Sequence, residues 1–191
     1  EITPQNAQQD FEQFSNWAKM LLQDFNEIDR YLLKPSHVFD YLKNIDDINH
    51  WSVKVEDRST LIDNYLTFWD QLPIYYKAFT KHLIGQNTGY QGLVYRMAVE
   101  NIDGFIKENS SKTIYFAGFN ALNQAEEQVI QKLLKNGLAK VYWDTDAVFL
   151  NDTDHGAGYF ARKIKQNWSY YKSHPYDWIV DEFKQSKNIE I

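Results

Sequence analysis

The chain has 191 residues, a net charge of −6, 43% hydrophobic and 16% aromatic residues, and no cysteine. The absence of cysteine excludes disulfides, thiol nucleophiles and cysteine metal sites, and the apolar content excludes a disordered segment. Because 26 acidic residues outnumber 20 basic ones, we do not expect the chain as a whole to bind a phosphate backbone tightly.

The first predicted elements, in residues 1–109, are all helices. Apolar residues over 11–28 recur at intervals of three and four, which predicts one stripe of an amphipathic helix. A second, short helix is predicted after Pro35, because proline interrupts the first pattern. Further helices are predicted from about Thr60 and over about 91–106. These residues are therefore expected to form a helical subdomain.

The pattern changes in residues 110–191. A continuous apolar run near 113–119 predicts a strand buried on both faces, and the next strand is predicted near 139–143. Between them, Asn123 followed by Glu126 predicts a capped helix start. A strand, a helix and a second strand in this order predict neighbouring parallel strands. The expected fold class is α/β, with a helical subdomain followed by a small parallel sheet flanked by helices.

One segment of this second part resembles a known family. Residues 114–128, Ile-Tyr-Phe-Ala-Gly-Phe-Asn-Ala-Leu-Asn-Gln-Ala-Glu-Glu-Gln, resemble inactivated superfamily I helicases, the AddB-like partners in RecBCD/AddAB-type helicase–nucleases. Active relatives carry an Asp-Glu pair, which holds magnesium and polarises water, where this chain has Ala117-Gly118. The helices at 21–30 and 93–96 are similar too. The resemblance implies a helicase-like, P-loop-NTPase-derived fold.

The resemblance also implies a function. It indicates a catalytically inactive domain, without a cofactor, that acts as a scaffold or DNA guide in a DNA-repair helicase–nuclease. No Gly-Lys-Ser/Thr phosphate loop occurs in the sequence, so we expect no enzymatic activity from this segment. Because the sequence starts at Glu1 without Met, the expected partners are the rest of a longer parent chain, which would carry any nuclease activity, and a partner subunit. No apolar run of membrane length and no signal-peptide pattern occurs, which predicts a cytoplasmic protein with no membrane contact.

An acidic loop after the second predicted strand supplies the candidate metal ligands Asp144, Asp146 and Asp154. Carboxylates at the end of a parallel strand can bind Mg²⁺ or Ca²⁺, but the offsets of an EF-hand are not met. A solvated acidic loop is the competing interpretation. The alternative functions are therefore a metal-dependent nuclease or hydrolase that uses this loop, and a helical protein-interaction domain.

Four basic residues are candidates for a weak contact with DNA: Arg96, Arg162, Lys163 and Lys165. For Arg96, an ion pair with Glu100 four residues later is the competing interpretation. The other three lie on one predicted helix, where they could instead form its solvated side.

Two further patterns have mainly structural interpretations. Asp24, Glu27 and Asp29 lie within two turns of one helix with Arg30, and local ion pairs are expected there. The many aromatic residues are expected to fill the core and the subdomain interfaces. Stacking on nucleobases is the alternative role for some of these rings.

Overall fold

The computed structural model describes residues 11–50, 60–119 and 121–186. The chain forms two compact units, which we call the helical unit (Glu1–Met97) and the α/β unit (Ala98–Ile191). The boundary between them lies inside a helix, whereas the sequence changes character at Asn109. None of the helices that the structure describes is long and apolar enough to cross a membrane.

The helical unit contains the helices that apolar periodicity predicts. They are α1 (Phe11–Arg30), α2 (Pro35–His50), α3 (Thr60–Gly85) and the first part of α4 (Gln91–Glu108). Pro73 lies within α3 and does not end it. The buried core of this unit comprises Phe25, Ile28, Phe39 and Leu72. Aromatic edges contribute to it, since the rings of Phe25 and Tyr76 meet edge to face at 5.1 Å.

The end of α1 has a specific geometry. Leu32 has φ +54°, a left-handed conformation that residues other than glycine seldom adopt. The N–H of Leu33 donates to the carbonyl of Ile28 at 2.9 Å, and the N–H of Leu32 donates to that of Asp29 at 3.0 Å. This pair of hydrogen bonds is a Schellman turn, with leucine where glycine is usual.

Within its described residues, the α/β unit contains four short strands and three further helices. Their order is β1 (Ile114–Ala117), α5 (Gln124–Lys135), β2 (Ala139–Tyr142), β3 (Thr145–Asp146), α6 (Ala147–Asn151), α7 (Tyr159–Asn167) and β4 (Ile179–Val180), with 3₁₀ turns at Gly156–Gly158 and Ser169–Lys172. β1 pairs with β2 in parallel, from Ile114 opposite Ala139 to Ala117 opposite Tyr142. The predicted small parallel sheet is therefore confirmed. A second parallel pair, β3 with β4, was not expected from the sequence.

Helix α5 joins β1 to β2 and begins with the predicted capping box. The side chain of Asn123 accepts a hydrogen bond from the Glu126 N–H at 3.0 Å, and the Glu126 carboxylate accepts one from the Asn123 N–H at 2.9 Å. After the helix, Gly137 adopts φ +72°, which glycine does without steric cost. Local sequence thus defines both ends of this helix.

The prediction that the first strand is buried on both faces is wrong. Ile114 and Phe116 turn inward, while Tyr115 is 60% exposed. In β2, Ala139 and Val141 are buried and Lys140 is exposed. Each strand therefore alternates between a packed face and an open face, as in a sheet covered on one side.

The core of the α/β unit is strongly aromatic, as the composition predicts. Trp143 and Trp168 are 3% and 2% exposed, and their rings meet edge to face at 5.6 Å. Their indole N–H groups are satisfied: that of Trp143 donates to the Tyr171 hydroxyl at 2.8 Å, and that of Trp168 donates to Glu127 at 3.2 Å. A buried tryptophan needs such a partner for its one polar atom.

Candidate functional site

The carboxyl end of β1 is where a ligand would be expected in a parallel sheet. Ala117 is the last residue of the strand, and Gly118 follows it with φ +74°. A methyl group and a hydrogen atom can neither ligate a metal ion nor accept a proton. The side chains at this end of β1 therefore supply none of the chemistry of an acidic pair.

Asp146 has a structural role at the start of α6. Its Oδ1 accepts a hydrogen bond from the Val148 N–H at 2.8 Å, as an N-cap residue does. Its Oδ2 accepts from the N–H groups of Glu182 at 2.8 Å and Phe183 at 3.2 Å. Both carboxylate oxygens are thus occupied by backbone donors, and the side chain joins the segment after β4 to the start of α6.

The candidate metal ligands are not brought together. Asp144 and Asp154 are exposed, while Asp146 is buried. Nearby, Asp152 accepts hydrogen bonds from the N–H groups of Asp154 and His155, which closes a turn. Among the residues that the structure describes, no group of three or more His, Cys, Asp or Glu side chains could hold a metal ion.

The hydrogen bonds of Asp146 predict a pH effect on stability. Burial raises the pKa of its carboxyl group, but the backbone N–H donors and the positive charge of Lys184 outweigh this and lower the pKa below its ordinary value. Because the pKa of Asp146 is lower in the folded than in the unfolded protein, its ionised carboxylate stabilises the fold at any pH above the unfolded pKa. This contribution is lost as the pH falls through the folded pKa. We therefore expect Asp146→Asn to destabilise the protein most near neutral pH.

This effect can be measured by urea unfolding of both proteins at several pH values. The difference in the free energy of unfolding between wild type and Asp146→Asn should narrow as the pH falls below about 4. The exposed substitution Asp144→Asn serves as the control and should give a small, nearly constant difference. A difference for Asp146→Asn that grows toward acid would contradict this account.

Arg162 is engaged in the fold and is not a free cation. Its guanidinium donates to the carbonyls of Phe149 at 2.6 Å, Thr153 at 3.2 Å and His155 at 2.9 Å, and also to that of Asp152. These contacts organise the segment between α6 and the first 3₁₀ turn. The weak DNA contact of Arg162 stays a prediction, and both Nη groups that would make it already donate to backbone carbonyls.

Gly158 allows this arrangement. A Cβ atom at Gly158 would lie 1.9 Å from the Phe149 carbonyl oxygen and 2.3 Å from an Arg162 nitrogen. Only glycine lets the two segments approach so closely. On the same helix as Arg162, Lys163 and Lys165 are exposed, and they remain candidates for a contact with an anion.

Arg96 also has a buried partner, which differs from the expected one. Its Nε donates to Asp29 Oδ1 at 2.5 Å, and its side chain is only 16% exposed. Its Nη2 donates to the carbonyls of Ile28 at 3.0 Å and Leu33 at 2.6 Å. The expected pairing with Glu100 is therefore wrong. The weak DNA contact of Arg96 stays a prediction, although its Nε and Nη2 already donate to groups within the fold.

Asp29 is the centre of this buried polar cluster. It is 0% exposed and accepts hydrogen bonds from the hydroxyls of Tyr76 and Tyr90 as well as from Arg96. Burial, together with the hydrogen bond to Asp29, raises the pKa of Tyr90 far above its ordinary value, so its phenol stays a donor. The cluster joins α1, α3 and the start of α4, and its carboxylate has no access to a ligand.

The expectation of a local ion pair for Asp29 on α1 is wrong, because its partner Arg96 lies on α4. The expected pair between Arg30 and Glu27 does form on the surface, at 3.3 Å. One signal for the buried cluster was present: Asp29 follows Ile28 directly, at the edge of the apolar stripe. Arg96, the only basic residue of a largely uncharged run, is the matching signal on α4.

The comparisons with known proteins assign no family. Protein-family models, curated proteins and solved structures were searched, and no match was found. The class that the fold defines is a mostly helical α/β chain with small parallel sheets. Any closer assignment of a family or a function has to be argued from the residue pattern at 114–128 and from the contacts of the candidate site residues.

Proposed function

We propose that this chain is a catalytically inactive superfamily I helicase-like domain, which acts as a scaffold and DNA guide in a cytoplasmic DNA-repair helicase–nuclease. The proposal combines the residue resemblance at 114–128 with the βαβ unit that these residues help to form. Its partners would be the remainder of a longer polypeptide and a helicase–nuclease subunit.

The observation that carries the proposal is the end of β1. In a parallel βαβ unit, ligands bind beyond the carboxyl ends of the strands, and an active relative would place its acidic pair there. Here the strand ends in Ala117 and Gly118. A βαβ unit of this kind is a building block of nucleotide-processing folds, and this one lacks the side chains that would activate water.

The start of α5 supports the same conclusion. A helix N-terminus can bind phosphate through its free N–H groups. In this chain the side chains of the capping box occupy the N–H groups of Asn123 and Glu126. Glu127 adds a second carboxylate to the first turn. Two negative charges at this helix start oppose the approach of a nucleotide phosphate.

The DNA-guiding role is expected to involve weak contacts. The net charge of −6 opposes a phosphate backbone, and the guanidinium groups of Arg96 and Arg162 are held within the fold. We expect dissociation constants no tighter than about 10⁻⁵ M near physiological salt, which is within the non-specific range.

The test is isothermal titration calorimetry of the chain with Mg·ATP, together with an ATPase assay with single-stranded DNA present. We expect neither binding heat nor hydrolysis. Micromolar nucleotide binding would refute the inactive-helicase assignment. A nuclease assay with Mg²⁺ or Mn²⁺ tests the alternative function, which would be supported by cleavage that Asp144→Asn and Asp154→Asn abolish.

A further inference from the structure

Three aromatic side chains lie side by side in the α/β unit, and two of them are exposed while Tyr142 between them is half-buried. Tyr115 and Tyr142 lie on the open face of the β1–β2 sheet, with ring centroids 6.0 Å apart. The ring of Trp178, just before β4, contacts Tyr142 at 4.3 Å. Tyr115 is 60% exposed and Trp178 is 55% exposed. We call Tyr115, Tyr142 and Trp178 the aromatic strip.

The residues on this open face differ from those usually found on a sheet face that a helix covers. Parallel strands covered on both faces are nearly continuous runs of Val, Ile and Leu. The outward positions here are Tyr115 and Ala117 in β1, and Lys140 and Tyr142 in β2. Two phenols and an ammonium group favour a ligand with flat rings and polar groups over an aliphatic helix.

Trp178 differs from the tryptophans of the core. Trp143 and Trp168 are almost completely buried, whereas Trp178 exposes more than half of its surface. Its backbone has φ +64°, which bulky residues seldom adopt. Strained backbone of this kind is found preferentially at binding and catalytic sites.

Lys140 adds a positive charge beside these rings. It is exposed, and it is the direct cross-strand partner of Tyr115. Its ammonium group complements a phosphate, while the neighbouring rings complement nucleobases. Stacking rings combined with cations along the backbone are the means by which proteins bind single strands without sequence preference.

We propose that the aromatic strip and Lys140 bind single-stranded nucleic acid, with bases stacked on the exposed rings and a phosphate paired with Lys140. The inference rests on the proposed function and gives the DNA contact a location. Duplex DNA does not fit this surface, because its bases are already stacked on one another. With a single cation in the surface, the logarithm of the affinity should fall with the logarithm of salt concentration with a slope of only about −0.7.

The experiment measures the fluorescence anisotropy of a labelled dT oligonucleotide of about 15 residues, a length that covers one such surface. A matching U oligonucleotide and a duplex of the same length are titrated in parallel. We expect the single strands to bind with dissociation constants of about 10⁻⁵ to 10⁻⁴ M, and the duplex to bind less well. Tyr115→Ala should weaken binding by about fivefold or more, which corresponds to the loss of one stacked base.

Two further variants complete the test. Lys140→Glu should weaken binding and remove most of the salt dependence. Tyr159→Ala, which truncates a tyrosine of similar exposure on α7, is the matched control and should bind like wild type. Circular dichroism melting should show that all three variants fold, since each change is at an exposed position.

Several outcomes would overturn the inference. One is that Tyr115→Ala and Lys140→Glu bind the oligonucleotides as tightly as wild type. If Lys163→Glu abolishes binding at the same time, the contact lies on α7. Another is that neither oligonucleotide binds, which would leave this face to a protein partner. In either case a negative result with Mg·ATP would leave the assignment as a catalytically inactive scaffold standing. Binding of the U oligonucleotide alone would support the surface and contradict the DNA-guiding role.

Discussion

Asp29→Ala is expected to lower the free energy of unfolding of the helical unit by about 3–5 kcal/mol, because it leaves the Arg96 guanidinium buried without its counter-charge. The hydroxyls of Tyr76 and Tyr90 would lose their acceptor at the same time. Urea unfolding followed by far-UV circular dichroism measures the change. The loss arises from unpaired buried groups, and it should therefore persist at high salt.

The matched control for this prediction is Glu27→Ala, two residues earlier on the same helix. Its pair with Arg30 is exposed on both sides, and its removal should cost less than about 1 kcal/mol. The double variant Asp29→Leu/Arg96→Met leaves no charge buried and should be more stable than Asp29→Ala. If Asp29→Ala and Glu27→Ala lowered the free energy of unfolding equally, the buried pair would stabilise the protein no more than the exposed pair does.

Trp168→Ala is expected to destabilise the α/β unit by about 3–5 kcal/mol, because it removes a large ring from the centre of the core. Trp168 is 2% exposed and contacts the rings of Trp143 and Tyr171. Thermal and urea unfolding both report the loss. The Glu127 carboxylate would also lose the indole donor.

The same substitution at the surface provides the comparison. Trp178→Ala removes an identical side chain from an exposed position, and its effect should stay within about 0.5 kcal/mol. If Trp178→Ala destabilised the protein as much as Trp168→Ala, Trp178 would be part of the core and the aromatic strip would not be an open surface.

Elements that depend on neighbouring residues could be predicted from the sequence. The apolar stripe of α1 repeats at helical spacing, and the capping box of α5 needs only residues three apart. The parallel pairing of β1 with β2 follows because a helix joins them. In each case the signal lies within a short stretch of chain.

Contacts between distant residues could not be predicted in the same way. Asp29 and Arg96 are 67 residues apart, and Asp146 receives its donors from 36 and 37 residues later. Hydrophobic pattern carries no information on which charged residues will meet. The hydrophobic pattern also gave the wrong burial for β1. The run 113–119 is apolar throughout, but tyrosine occurs at both buried and exposed positions, so the pattern did not show that Tyr115 is exposed.

The Schellman turn after α1 depends on a residue outside its own sequence. Leu32 adopts its left-handed conformation at a steric cost, and Arg96 Nη2 binds the carbonyls of Ile28 and Leu33 on either side of it. Arg96 thus caps α1 from another helix. A shortened chain that ends at Gly85 would keep all of α1 but lose this cap, and the last turn of α1 should then fray. Lysine at position 96 would not substitute, because one ammonium group cannot reproduce the planar fork that reaches a carboxylate and two carbonyls together.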